Sequence, residues 1–221
     1  IHLWSLIPVG KICVSSGARM AGGGSFSIKV LGIGGHSSRP DQCVDPLKIA
    51  SKILLEITSI PSNRVSTLEP AVVSVGKLYG GTKRNIIPGE AYIEGGFRTF
   101  SSEVSERVLE LIKEISEGIA KYSGGKVEIT SGGIFPCLFN HTSSSKIAHK
   151  VVTKLLGEDV VYEFEPLLAS ENFSLYTDRY SGMMAFVGAG NREKGVIHPH
   201  HHPSFDIDES ALINGMALYV E

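Results

Sequence analysis

SFSIKVLGIGGHSSRPDQCVDPLKIASKILLEI, residues Ser25–Ile57, decides the fold. Apolar and polar residues alternate through Ser25–Gly32, the two-residue period of a half-buried strand. GIGGHSSRPDQCVDP is loop chemistry, rich in glycine, proline and aspartate. Asp45 then offers a helix cap, and Pro46 fits the first helical turn. Leu47, Ile49, Ala50, Ile53, Leu54 and Ile57 recur at helical spacing to about Ile60. Further along, Ala71–Tyr79 (AVVSVGKLY) reads as a strand ended by GGTKRN, and Glu90–Phe100 reads as the next strand. Ser102, with Ser105 and Glu106 nearby, opens a long helix whose stripe runs from Val104 through Val108, Leu111, Ile112 and Ile115 to Ala120. Gly124 and Gly125 stop it, and Lys126–Ser131 is a last strand. The order β-α-β-β-α-β predicts a ferredoxin-like antiparallel sheet with two helices on one face.

The flanks follow a different pattern. Lys11–Ser15 is strand-like. After Pro136 the spacing predicts a helix over Thr142–Leu156, a short strand near Val160–Phe164, a helical turn at Glu171–Tyr176 and a buried strand at Met183–Val187. Asp208 then caps a closing helix, Glu209–Val220. These pieces suit an α/β layer. The expected organisation is therefore a discontinuous α/β domain, residues 1–23 and 134–221, interrupted by a smaller domain over 24–133.

A chain of 221 residues can bury a sizeable core. Its net charge of -2 gives no support to a polyanionic partner, so no nucleic-acid role is expected. No apolar run is long enough to span a bilayer, so no membrane role is expected either. IHLWSLIPVGKI has no basic start or small-residue cleavage site. It opens like the inside of a larger domain. Cys13, Cys43 and Cys137 are odd in number and widely spaced, and form no CxxC pattern. Thiols in a reducing cytoplasm are the expectation.

Five places in the sequence carry candidate chemistry. VIHPHHHPSFDIDESAL (Val196–Leu212) places His198, His200, His201 and His202 within five positions. Imidazole is the commonest side-chain metal ligand, yet four adjacent loop histidines cannot all enter one closed site. Either one of them is a ligand or the loop is merely polar and exposed. His2, beside Leu3 and Trp4, reads as a core histidine or a ligand. His36 sits at the tip of a glycine-rich loop, where it is either a solvated side chain or a group presented to a ligand. Arg98, in GGFRTF, has the fork that binds a carboxylate bidentately, or it makes a strand-end ion pair. Asn85, in GGTKRNIIP, fits a turn, and its amide could also donate to an oxyanion.

Taken in order, the blocks IHLWSLIPVG, GIGGHSSRPDQCVDP, GGTKRNIIPGEAYIEGGFRTF, ASENFSLY and HHPSFDIDESAL resemble the M20 family of metallopeptidases. The branch they resemble holds hippurate hydrolases, N-acyl-amino-acid hydrolases and plant auxin-conjugate hydrolases. The resemblance implies an α/β domain with a two-metal centre (zinc, manganese or cobalt), interrupted by a βαββαβ lid that makes a homodimer. It implies that His2 and His201 are metal ligands, with the Pro203–Ser204–Phe205 spacing fixing the register on His201. It also implies that His36 reaches the partner subunit's site to stabilise the oxyanion, and that Asn85 and Arg98 bind the substrate carboxylate or the intermediate. The implied activity is metal-dependent hydrolysis of amide bonds in N-acyl amino acids or peptides with a free carboxylate. Two departures stand out. The family's Cys-Gly-His-Asp-like block and its Glu-Glu pair are not in this chain, which reads as a C-terminal fragment that is inactive alone. Asn172 also stands where the family has Asp after Glu171, which leaves the role of Glu171 open. The rival reading is a non-catalytic dimerisation or ligand-binding module.

Overall fold

A computed structural model describes residues 1–220. The chain divides into two compact units, Ile1–Met20 with Leu138–Glu221, and Ala21–Cys137. From the N-terminus, β1 (His2–Pro8), β2 (Ile12–Cys13) and β3 (Gly17–Met20) open the first unit. The second holds β4 (Gly22–Leu31), β5 (Gly35–His36), α1 (Pro46–Thr58), α2 (Ile60–Asn63), β6 (Ala71–Gly80), β7 (Ile86–Ile87), β8 (Glu90–Thr99), α3 (Ser102–Tyr122) and β9 (Lys126–Phe135). The chain returns to the first unit with β10 (Leu138–Asn140), α4 (Thr142–Leu156), α5 (Ser174–Thr177), β11 (Phe186–Gly190) and α6 (Ala211–Val220).

In the second unit the strand order is β6-β8-β4-β9, antiparallel throughout. With α1 and α3 this is the ferredoxin-like arrangement expected from the period of Ser25–Ser131. The alternation in β4 sends Phe26, Ile28 and Val30 inward, where they meet Ile49, Ile53 and Ile57 of α1 and Val108, Leu111 and Ile112 of α3. Each such side chain contributes about 1.5–3 kcal/mol by leaving water. Asp45 caps α1 as expected, its carboxylate accepting from the Leu47 and Lys48 amides. The cap of α3 lies one residue earlier than Ser102. Ser101 has the extended backbone a cap requires, and its hydroxyl accepts from the Val104 amide. The opposite face of the sheet carries Ser25, Ser74, Glu94, Gly96 and Arg98, and no helix of this unit covers it.

The first unit is built on a three-stranded sheet, β1-β11-β2, in which β1 and β11 run parallel and β2 antiparallel. Gly188 is required where β11 meets the end of β1, because a Cβ there would stand 2.0 Å from the Pro8 carbonyl oxygen. β3 and β10 form a separate antiparallel pair. The strand expected at Val160–Phe164 is instead a 3-10 turn, Glu158–Val160, followed by a single bridge between Ile12 and Val161. β2 is only two residues long, so it offers no ladder for a full strand to follow. α6 begins at Ala211, two residues later than expected, because the Asp208 carboxylate first accepts from the Ser210 amide and hydroxyl. No helix among the described residues is long and apolar enough to cross a membrane.

Candidate active site

In the first unit, His2 opens β1 opposite Phe186 of β11. Its Nδ1 lies 2.6 Å from the Leu3 carbonyl oxygen. A carbonyl only accepts, so Nδ1 carries the proton and Nε2 keeps a free lone pair. A metal-ligating histidine is normally oriented in this way, by giving its other N–H to a backbone oxygen. The histidine loop then runs back along β1. Ser5 donates to the His198 carbonyl at 2.9 Å, and His200 Nε2 lies 3.1 Å from the same Leu3 oxygen. The His200 ring stacks on Trp4 with centroids 4.4 Å apart and meets the edge of His2 at 5.3 Å. Its affinity for a second proton is lowered, first by burial and then by its neighbours His2 and His201. His198 and His202 stack on each other at 4.1 Å.

His201 is exposed and has φ of 69°, the only positive φ at a non-glycine among the described residues. Such strained backbone collects at ligand-binding positions because the surroundings must hold it there. No three metal-binding side chains converge among the described residues. His2 and His201 by themselves fall short of the three protein ligands that catalytic zinc normally takes. Glu171 accepts from the Phe173 amide, and its charge raises the proton affinity of the Ile1 amino group against the larger effect of burial. This carboxylate therefore lies near the start of β1.

In the second unit, β5 pairs with β7, with His36 opposite Ile86, and the Ser37 amide donates to the Asn85 carbonyl at 3.2 Å. His36 and Asn85 are thus neighbours, both exposed. Arg98 lies far from them on the open face of the sheet. β4 and β8 pair from Leu31–Glu90 at the His36 end to Gly23–Arg98 at the other. Those eight steps cover about 26 Å at 3.3 Å per residue. One N–H of Arg98 donates to the Phe97 carbonyl at 2.8 Å, and the guanidinium sits over Phe135 at 5.3 Å. No carboxylate pairs with it among the described residues, so the strand-end ion pair left open by the sequence is not made. Arg98 edges a groove of about 610 Å³ floored by Gly24, Gly96, Gly132 and Gly133. A Cβ on Gly96 would come within 3.9 Å of the guanidinium. The missing side chains leave room for a small anion to reach Arg98.

Sequence reasoning missed two contacts of these groups. His200, named only as one of four loop histidines, rests against His2, and Ser38 bonds the His36 ring. Neither has a signal in periodicity, because each contact depends on how a loop turns back.

Residues 20–123 match the peptidase dimerisation domain of M20 proteins. The chain thus carries the dimerisation domain of the M20 family. It is 33% identical to N-acetylcysteine deacetylase of Bacillus subtilis over 97% of this chain and 55% of that protein. It is 31% identical to thermostable carboxypeptidase 2 of Saccharolobus solfataricus over 96% of this chain and 53% of that protein. The crystal structure of Bacillus subtilis YXEP, a dinuclear metal-binding peptidase of the M20 family, superposes with a TM-score of 0.79 at 27% identity, over 97% of this chain and 52% of that one. A protein from methicillin-resistant Staphylococcus aureus superposes with a TM-score of 0.90 at 29% identity, over 98% of this chain and 56% of that one. The chain spans about half the length of the curated relatives it matches.

Proposed function

We propose that the protein carrying this chain hydrolyses the amide bond between an acyl group, or a peptide, and an amino acid with a free carboxylate. His2 and His201 would be among the ligands of two divalent ions, zinc, manganese or cobalt. When bound, the ions supply Lewis-acid polarisation of the scissile carbonyl and acidification of the attacking water. Arg98 holds the substrate carboxylate with its fork, which makes the enzyme exo-acting. The His36 ring donates a hydrogen bond to the carbonyl oxygen as that oxygen gains charge, and the Asn85 amide stands beside it. A donor placed in this way is typically worth about 3–4 kcal/mol at the transition state. The first unit would form part of the catalytic domain and the second its lid, in a cytoplasmic homodimer.

The observation that carries this reading is the separation of His36 from Arg98. Arg98 lies at one end of the four-stranded sheet and His36 on the β5-β7 pair beyond its other end, so one small N-acyl amino acid cannot touch both in the same chain. A site that uses both must take His36 from one subunit and Arg98 from the other. The test is complementation. Full-length His36→Ala and His201→Ala variants are each expected to be nearly inactive. Heterodimers formed from the two should recover part of the wild-type rate on N-acyl amino acids, because one composite site keeps both residues. No recovery after subunit exchange is demonstrated would place His36 in its own subunit's site or in none.

A further inference from the structure

We infer that Ser38 is a positioning residue that fixes the tautomer and aim of the His36 ring. The inference rests on the reading of His36 as the oxyanion donor. Two groups of Ser38 converge on one ring nitrogen. Its backbone amide lies 3.2 Å from His36 Nδ1, and its hydroxyl lies 2.8 Å from the same atom. An amide N–H can only donate, so Nδ1 is the acceptor and carries no proton. The neutral ring must then hold its proton on Nε2, and no partner for that nitrogen is found among the described residues. The arrangement turns His36 into an outward-facing N–H donor before any ligand arrives. The opposite tautomer would present a lone pair to a developing negative charge and set an N–H against an N–H within the loop.

The loop is braced to keep this aim. The Arg39 amide donates to the His36 carbonyl at 2.9 Å, closing a turn over His36–Arg39. Cys43 Sγ donates to the Arg39 carbonyl at 3.4 Å, and a Cβ on Gly35 would lie 2.7 Å from that sulfur. Strand β5 is pinned to β7 on the other side. The ring therefore has little freedom except rotation about its own side-chain bonds, which the Ser38 hydroxyl opposes.

The test uses the intact protein with Ser38→Ala, Ser38→Thr and His36→Ala variants. Nitrogen chemical shifts of the His36 ring, recorded at alkaline pH, should show an unprotonated Nδ1 and a protonated Nε2 in the wild type. Ser38→Ala should shift the ring towards a mixture of tautomers and lower kcat about 3- to 10-fold, with KM within about twofold. The loss is partial because the backbone donor remains. Ser38→Thr should restore both signals. A wild-type ring protonated on Nδ1 would overturn the inference. A costly His36→Ala beside a harmless Ser38→Ala with an unmoved ring spectrum would remove only the part assigned to Ser38. A harmless His36→Ala would remove the donor role itself, and this inference with it.

Discussion

The second unit closes its own core, whereas the first leaves apolar surface open. In Ala21–Cys137 two amphipathic helices cover one face of a four-stranded sheet, and the other face is mostly small or polar, with Val72 and Phe135 as apolar exceptions near Arg98. In the first unit, Ile213, Met216, Tyr219 and Val220 on α6 are each more than half exposed, and Leu6 on β1 is 57% exposed. The difference matters for chemistry. The closed unit presents His36 and Arg98 from a finished scaffold. The open unit offers two histidines at a strand start and a loop, and no three metal-binding side chains converge there among the described residues.

The largest effect expected from this contrast is complete loss of activity. The purified 221-residue chain should not turn over N-acetyl or N-benzoyl amino acids at any concentration of zinc, manganese or cobalt, because the described residues supply only part of a ligand set. Turnover that a chelator abolishes would mean that the open unit is catalytically complete.

Within the full-length protein, the four loop histidines should separate sharply. His201→Ala should lower kcat/KM far more than the about 10–100-fold typical of a group that only orients a ligand. His200→Ala should fall in that smaller range, since its ring leans on Trp4 and His2. His198→Ala should cost least. Equal losses across the cluster, measured together with metal content, would reduce it to a loose chelating loop.

Arg98 tests the closed unit in the same way. Arg98→Ala should lower kcat/KM about 10- to 100-fold for substrates with a free carboxylate, the loss of hydrogen bonds to a charged group. It should leave the corresponding amides of those substrates almost untouched. Arg98→Lys should recover only part, because an ammonium lacks the planar fork. Equal losses on acid and amide substrates would show that Arg98 serves the fold rather than the carboxylate.

Legibility in the sequence follows the same division. Strong periodicity next to strong punctuation gave the closed unit away: alternation through Phe26, Ile28 and Val30, then Asp45 and Pro46, then the stripe from Val104 to Ala120. In the open unit, α4 was readable over Thr142–Leu156 from its spacing. The pairing of β3 with β10 was not, since it joins short segments more than a hundred residues apart and β3 starts on Gly17. The buried strand expected at Met183–Val187 lies at Phe186–Gly190, because Met184 instead gives its amide to the Asn140 side chain. Residue types pointed to His2, His36, Asn85, Arg98 and the four loop histidines as candidates, and the family resemblance singled out His201 among the four. Their grouping came only with the sheet register, which puts Asn85 with His36 and sets Arg98 apart.

The smallest effect expected concerns the support of the histidine loop rather than its chemistry. Asp208 is almost fully buried, and its carboxylate gathers four donors: the Asn191 amide group at 2.6 Å, the Lys194 ammonium at 3.1 Å, and the Ser210 amide and hydroxyl. Asn191 and Lys194 belong to the turn that leads into the loop, and Asp208 to the segment that leaves it. The hydrogen bond from Asn191, followed by those from Ser210 and Lys194, holds the Asp208 carboxyl well below the usual carboxylate range. The folded state thus binds the proton less readily than the unfolded chain does. The stability that Asp208 contributes is present above the ordinary carboxylate pKa of about 3.9 and is lost progressively as pH falls below it. Wild-type thermal stability should therefore decline more steeply than that of Asp208→Asn between pH 4.5 and about pH 3. At pH 7 the variant should melt several degrees lower, because the amide cannot accept from all four donors. Parallel stability curves for the two proteins across that range would mean that Asp208 is not the group that ties the two ends of the loop together.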